Sequence, residues 1–189
     1  MRCLSIGLLI TGFAVLSSPT TGADDFKPEP GFTMLFNGKN FDGWKIKGKK
    51  DGGELDGKTD VNNGRFKAVD GSIVIDYKTK EGLYIETKTE YSKDLTIKFE
   101  FKPGDGCNND LLIRGTKFDI VTSAKKETKG IKLDQWNEME ITFKGDTATY
   151  KVGSETLGTR KITAEKGAFS IRAEFGPIEI RKLRIKEEK

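Results

Sequence analysis

The chain has 189 residues, with 33 Lys and Arg against 29 Asp and Glu, for a net charge of +4. That length suits one domain with a real core, and so even a balance does not argue for nucleic acid as a partner. Histidine is absent altogether, which excludes Ser-His-Asp and Cys-His catalysis, His-ligated zinc and any histidine general base.

Arg2 is the sole charge before Asp24, and between them a largely apolar run from Leu4 to Leu16 leads into small residues ending at Ala23. A positive start, a short apolar segment and small residues before an acidic pair form the pattern of a secretory signal peptide. The run falls short of the about 20 apolar residues of a spanning helix. The expectation is export to the periplasm or the extracellular space, with residues 1–23 removed, a single domain over 24–189, and no membrane contact after cleavage. Cys107 is then the one remaining thiol. It cannot pair within its own chain and has no histidine to activate it, so it reads as a small buried residue.

From residue 26 onward the apolar spacing is mostly two. Short candidate strands are Met34–Phe36, Phe66–Val69, Ile73–Ile75, Leu83–Thr87, Leu111–Arg114 and Phe118–Val121. Asp70-Gly71, between two of them, is a two-residue hairpin signal. Longer alternations run through Leu95, Ile97, Phe99 and Phe101, then Met139, Ile141 and Phe143, then Ala148, Tyr150 and Val152, and finally Phe169, Ile171, Ala173 and Phe175. Each places its apolar residues on one face of a half-buried strand. The last run changes phase, with Ile178 and Ile180 on one parity and Leu183 and Ile185 on the other. A β-bulge near Arg181-Lys182 reconciles them. Segments 45–63 and 102–110 read as loops. About ten or eleven short strands and no long amphipathic helix outside the signal predict an all-β fold, an antiparallel β-sandwich of jelly-roll type.

Asp56, Asp60, Asn62 and Asn63 bring oxygen ligands together before Gly64, but they miss the spacing and terminal Glu of a calcium loop, and the segment reads as a solvated surface loop. No residue set reads as a metal site, and no cofactor is called for. Asp105, Asn108, Asn109 and Asp110 form a second oxygen cluster, with Arg114 just beyond. Asn108 and Arg114 could bind sugar hydroxyls, or serve as turn chemistry and a surface arginine. Carboxylates are the main acid–base equipment, and Asp110, Asp119 and Glu174 fall on strands or strand ends that could share a face. Trp136 directly precedes a strand, which favours core packing. Trp44 follows a turn and could stack on a sugar ring or fill the core.

Residues 31–44 (GFTMLFNGKNFDGW) resemble the "LFNGK.LDGW" opening of the 3-keto-disaccharide hydrolase domain family. Further matches follow in order: Asp70-Gly71-Ser72-Ile73-Val74, Tyr91-Ser92, Phe99-Glu100-Phe101, Cys107-Asn108 with Arg114-Gly115, Trp136-Asn137, and Arg181 to Ile185. The resemblance implies an exported, concanavalin- or laminin-G-like jelly roll that cleaves glycosidic bonds of 3-keto sugars. The family's "NSG..LRG" corresponds to Asn108 through Gly115. Its "LQ.HG" corresponds to Ile171-Arg172-Ala173-Glu174-Phe175, where Glu174 stands in place of the histidine. By this resemblance the partner is a carbohydrate, and Asn108 and Arg114 are the polar candidates that match; Asp110 and Trp44 join Asn108 as candidate binding residues from the reading above. Asp119 or Glu174 would serve as base, and Arg114 as electrostatic partner. A non-catalytic carbohydrate-binding module on the same sandwich is the alternative.

Overall fold

The computed structural model describes residues 26–49, 53–76, 82–92, 94–122 and 130–188. The expected signal peptide and Cys3 lie outside them. The described residues form no helix and fourteen strands: β1 (Thr33–Met34), β2 (Trp44–Ile46), β3 (Asp60–Val61), β4 (Phe66–Val69), β5 (Ser72–Ile75), β6 (Leu83–Tyr91), β7 (Leu95–Pro103), β8 (Asn108–Ile113), β9 (Thr116–Val121), β10 (Asn137–Lys144), β11 (Thr147–Val152), β12 (Glu155–Lys161), β13 (Gly167–Phe175) and β14 (Ile178–Glu187). They pair into two antiparallel sheets. The large sheet runs β12-β11-β10-β7-β14-β5-β4-β3, with β1 also on β14, and the small sheet runs β2-β6-β13-β8-β9. The expected all-β sandwich is the fold.

Alternation explains the layers. In β7, Leu95, Ile97, Phe99 and Phe101 are fully buried while Thr96, Lys98, Glu100 and Lys102 keep solvent contact. In the small sheet Ile85, Leu111, Ile113, Phe118, Ile120, Phe169 and Ile171 turn inward to the same core. Phe118 of β9 meets Phe143 and Tyr150 of the large sheet edge-on, at centroid distances of 6.2 and 5.2 Å. Such contacts join the two sheets through apolar burial, worth about 25 cal/mol per Å² removed from water.

The phase change in β14 is a bulge, as its parity requires: the pairing with β7 shifts between Arg181 and Arg184, and Lys182 has φ of 54°. The Asp70-Gly71 hairpin also forms, with both residues at positive φ, 46° and 76°. Three expectations need correction, and one strand gave no signal in the sequence. The stretch 45–63 is not all loop: it completes β2, buries Leu55 and Val61 and supplies β3. Segment 102–110 is loop only over 104–107, its ends belonging to β7 and β8. The polar edge strand β12 has no apolar stripe to reveal it, because its residues are mostly exposed. Trp136 is not core. It lies beneath Arg181, whose guanidinium carbon is 3.8 Å from the ring centroid.

Candidate functional site on the outward face of the small sheet

Because β6, β8, β9 and β13 each bury one parity, the other parity forms a shared outward face. Register places Tyr84, Arg172, Asp110 and Asp119 side by side across four strands. Neighbouring strands lie about 4.8 Å apart, so these side chains touch. Arg172 Nη1 donates to Asp110 Oδ2 at 3.1 Å and lies 2.9 Å from Glu174 Oε2. Its guanidinium also sits 5.3 Å from the Tyr84 ring centroid. Lys117 Nζ lies 2.6 Å from Asp119 Oδ1 and 3.5 Å from Asp110 Oδ1. The result is a continuous chain of charge, Glu174–Arg172–Asp110–Lys117–Asp119.

Asp110 has no solvent exposure. Burial first, and then the hydrogen bond and charge of Asp119, raise its pKa against the opposing pull of Arg172 and Lys117. For Asp119 burial acts in the same sense, but hydrogen bonds from Lys117 and Asp110 outweigh it and bring its pKa below the ordinary aspartate value. The two carboxyls titrate as a coupled pair, with Asp110 the more readily protonated member and Asp119 the more readily ionised one. Asp110 Oδ1 is buried without a hydrogen bond, Lys117 Nζ standing 3.5 Å away. The same row raises the pKa of both Arg172, chiefly through Asp110, and Lys117, chiefly through Asp119.

Glu174 is fixed through its backbone. Its N–H donates to Asn109 Oδ1 at 2.9 Å, and its carbonyl accepts from Arg65 Nη2 at 2.8 Å. Arg65 is fully buried and also donates to the Asp76 carbonyl. Asn109 is tied in turn to the Phe175 and Gly176 carbonyls. Cys107 is buried beside it, and burial pushes its thiol up to about 11.

The structure therefore brings together Asp110, Asp119 and Glu174, with Asn108 on the same face of β8 two residues before Asp110. It separates Arg114 and Trp44 from them. Arg114 occupies the β8–β9 hairpin turn with φ of 49°. Its Nε donates to the Ala164 carbonyl at 3.0 Å, and its guanidinium packs on the buried Phe143 ring. It turns toward the interior edge, not the outward face. Trp44 is fully buried, its Nε1 donating to the Leu35 carbonyl at 2.8 Å and its ring edge-on to Phe169. No sugar can stack on it. Arg172, Lys117 and Tyr84 are the partners that the sequence reading missed. The signal was available in strand parity, since Arg172 alternates in phase with Glu174 and Lys117 with Asp119. Asp56 and Asp60 brace loops, accepting from the Gly43 and Gly64 N–H groups.

The two packed antiparallel sheets define the molecule as a β-sandwich of jelly-roll type. Residues 31–129 match the family model described as the 3-keto-alpha-glucoside-1,2-lyase-like domain. The chain belongs to that family. Among curated proteins no sequence matches. Among solved structures, a candidate glycosyl hydrolase from Parabacteroides distasonis superposes with a TM-score of 0.66 at 17% identity, over 84% of this chain and 94% of its own. The carbohydrate binding module CBM66 from Bacillus subtilis gives 0.54 at 9% identity, over 82% and 100%. The VIP36 exoplasmic/lumenal domain, in a Ca2+/Man3GlcNAc-bound form, gives 0.51 at 10% identity, over 84% and 89%. These likenesses establish the fold, and they occur on proteins of several functions.

Proposed function

We propose that the outward face of the small sheet binds 3-keto glycosides and cleaves them by elimination followed by hydration. The observation that carries this reading is the placement of Asp119 opposite the buried Asp110 and 2.6 Å from the half-exposed Lys117 ammonium, which favours its ionised form. A ketone at C3 acidifies the C2 proton. Asp119 takes that proton, and the electron pair of the C–H bond moves into the ketone to form an enolate at O3. Collapse of the enolate breaks the bond between C1 and its substituent, which leaves with the bonding pair and is protonated as the free alcohol. Water then adds across the new C1–C2 double bond.

A carboxylate with a lowered pKa is a weak base for a carbon acid. The cations offset this, because the negative charge leaving Asp119 appears on O3 beside the same ammonium. Lys117 has N–H donors left for that oxygen, and a donor aimed where charge develops stabilises the enolate as it forms. Arg172 holds Asp110 and Glu174 in place. The missing histidine is thus not needed for proton abstraction.

One observation favours the alternative, a binding module without catalysis. Two depressions among the described residues lie elsewhere, one beside Phe26, Phe36 and Lys182 and one beside Thr33, Thr89 and Tyr91. The charged face is open, as binding surfaces often are. Release of the aglycone from a 3-keto glycoside separates the readings. Wild type should release it, and Asp119→Asn should reduce the rate by about 10²–10⁴, the usual weight of a general base. Binding without release would give the face to the binding-module reading.

A further inference from the structure

Phe175 is the most exposed large apolar side chain among the described residues, at 61%, against 43% for Val69 and 44% for Leu133. Strict alternation would send it inward with Phe169, Ile171 and Ala173. The pairing of β13 with β8 shifts register between Arg172 and Phe175, so that Arg172 opposes Asp110 while Phe175 opposes Asn108. Directly opposed residues of an antiparallel pair share a face. The bulge therefore returns Phe175 to the face of Arg172, Asp110 and Asn108, one same-face step from the charged row. That step is about 7 Å along the strand.

The backbone under the ring is held rigidly. Asn109 Nδ2 donates to the Phe175 carbonyl at 2.9 Å and to the Gly176 carbonyl at 3.2 Å. Gly176 has φ of 67°, and a Cβ there would overlap the Gly106 carbonyl and the Cys107 nitrogen. An apolar ring kept out of the core, on a backbone that has no freedom to withdraw it, gains nothing in the folded state from its exposure. A bound apolar surface would recover that burial.

We infer that Phe175 is a stacking platform for the C1 substituent of the glycoside, selecting aryl or other flat apolar aglycones over small alkyl ones. The inference rests on the proposed sugar site and adds its leaving-group side. A sugar held at the Asp110–Asp119 row projects one ring substituent along the strands, toward the row of Phe175, Asn108 and Val121. An aromatic aglycone lying there covers the Phe175 ring by offset stacking, in the geometry that aromatic pairs favour.

The test compares binding of the phenyl and methyl C-glycosides of 3-keto-glucose, which have no leaving group at C1 and so are not consumed, to wild type, Phe175→Ala and Phe175→Trp by calorimetry. Wild type should prefer the phenyl glycoside by about three- to tenfold, the range of one aromatic contact. Phe175→Ala should lose that preference while binding the methyl glycoside as wild type does, and Phe175→Trp should keep or increase it. If wild type binds both sugars and Phe175→Ala keeps the phenyl preference, the platform is overturned while the sugar site stands. If wild type binds neither sugar, the sugar site fails and takes the platform with it.

Discussion

Arg184 and Glu29, far apart in sequence, form a two-pronged ion pair in which Nε and Nη2 of the arginine donate to the two carboxylate oxygens at 2.6 and 2.8 Å. The guanidinium also stacks near Phe26 and Phe32, at 5.1 and 5.7 Å from their centroids. Together these contacts strap the segment around Glu29 across the outer face of the large sheet.

The strap makes an acid-sensitive contribution to stability. The Arg184 hydrogen bond, the largest influence, lowers the Glu29 pKa to about 2. A depressed carboxylate stabilises the fold above its unfolded pKa and loses that contribution as pH falls through the folded one. The gap in thermal midpoint between wild type and Glu29→Gln should be constant above about pH 5 and close toward pH 2. A gap that persisted at pH 2 would place the stabilisation in packing of the strap and not in the ion pair.

The acid limb of aglycone release should reflect Asp119. Since its pKa lies below the ordinary value, activity that needs the ionised form should persist below the usual aspartate range. Lys117→Met removes the chief hydrogen bond opposing desolvation, and the limb should move to higher pH. An unmoved limb in that variant would remove Asp119 from the role of base.

Arg114→Ala separates fold from function. Its side chain supports the connection at Ala164 and packs on Phe143, so the variant should lose about 1–3 kcal/mol of stability. Activity per folded molecule should stay near that of wild type. A loss of activity comparable to Asp119→Asn, with stability intact, would return Arg114 to the site.

Phe99 is fully buried in β7, in the middle of the large sheet. Phe99→Ala should cost about 3–5 kcal/mol, the usual loss for a core aromatic. Urea unfolding measures it. A cost below about 0.5 kcal/mol would contradict the inward assignment of that face.

Export is proposed from the Leu4–Leu16 run and the small residues before Asp24. Mass spectrometry of the protein recovered outside the cytoplasm should find Asp24 or a near neighbour at the N-terminus. An intact Met1 there would refute cleavage.

Strand parity explains what was legible in the sequence. Leu95 to Phe101 and Met139 to Phe143 announce themselves because one face meets a core. The conflict between Ile180 and Leu183 even locates a bulge. Parity also carried the acidic half of the site, since Asp110, Asp119 and Glu174 all sit out of phase with buried neighbours. What it could not give was the pairing of strands, and with it the knowledge that Arg172 opposes Asp110 and that Lys117 reaches both aspartates. Arg114 misled because a positive-φ hairpin position looks, in sequence, like a polar residue free to act. Phe175 misled in the opposite sense: its parity matches the core, and the register shift that turns it outward leaves no mark in composition. Trp44 had two readings, settled only by the Leu35 carbonyl that receives its N–H.

The position of β14 affects how the chain reaches this state. It follows the other thirteen described strands in chain order, yet it lies in the middle of the large sheet, between β7 and β5. Until it arrives, β7 and β5 each present an unpaired edge, and the apolar residues facing inward have no Ile178, Ile180, Leu183 or Ile185 beside them. Pairings of such wide sequence separation form slowly, and open edges invite association with other chains. Without β14 the small sheet can still pair all its strands, while the large sheet is split into β12-β11-β10-β7 and β5-β4-β3. Truncation there should yield an aggregating product, where removal of an edge strand such as β12 would leave the centre of the sandwich paired.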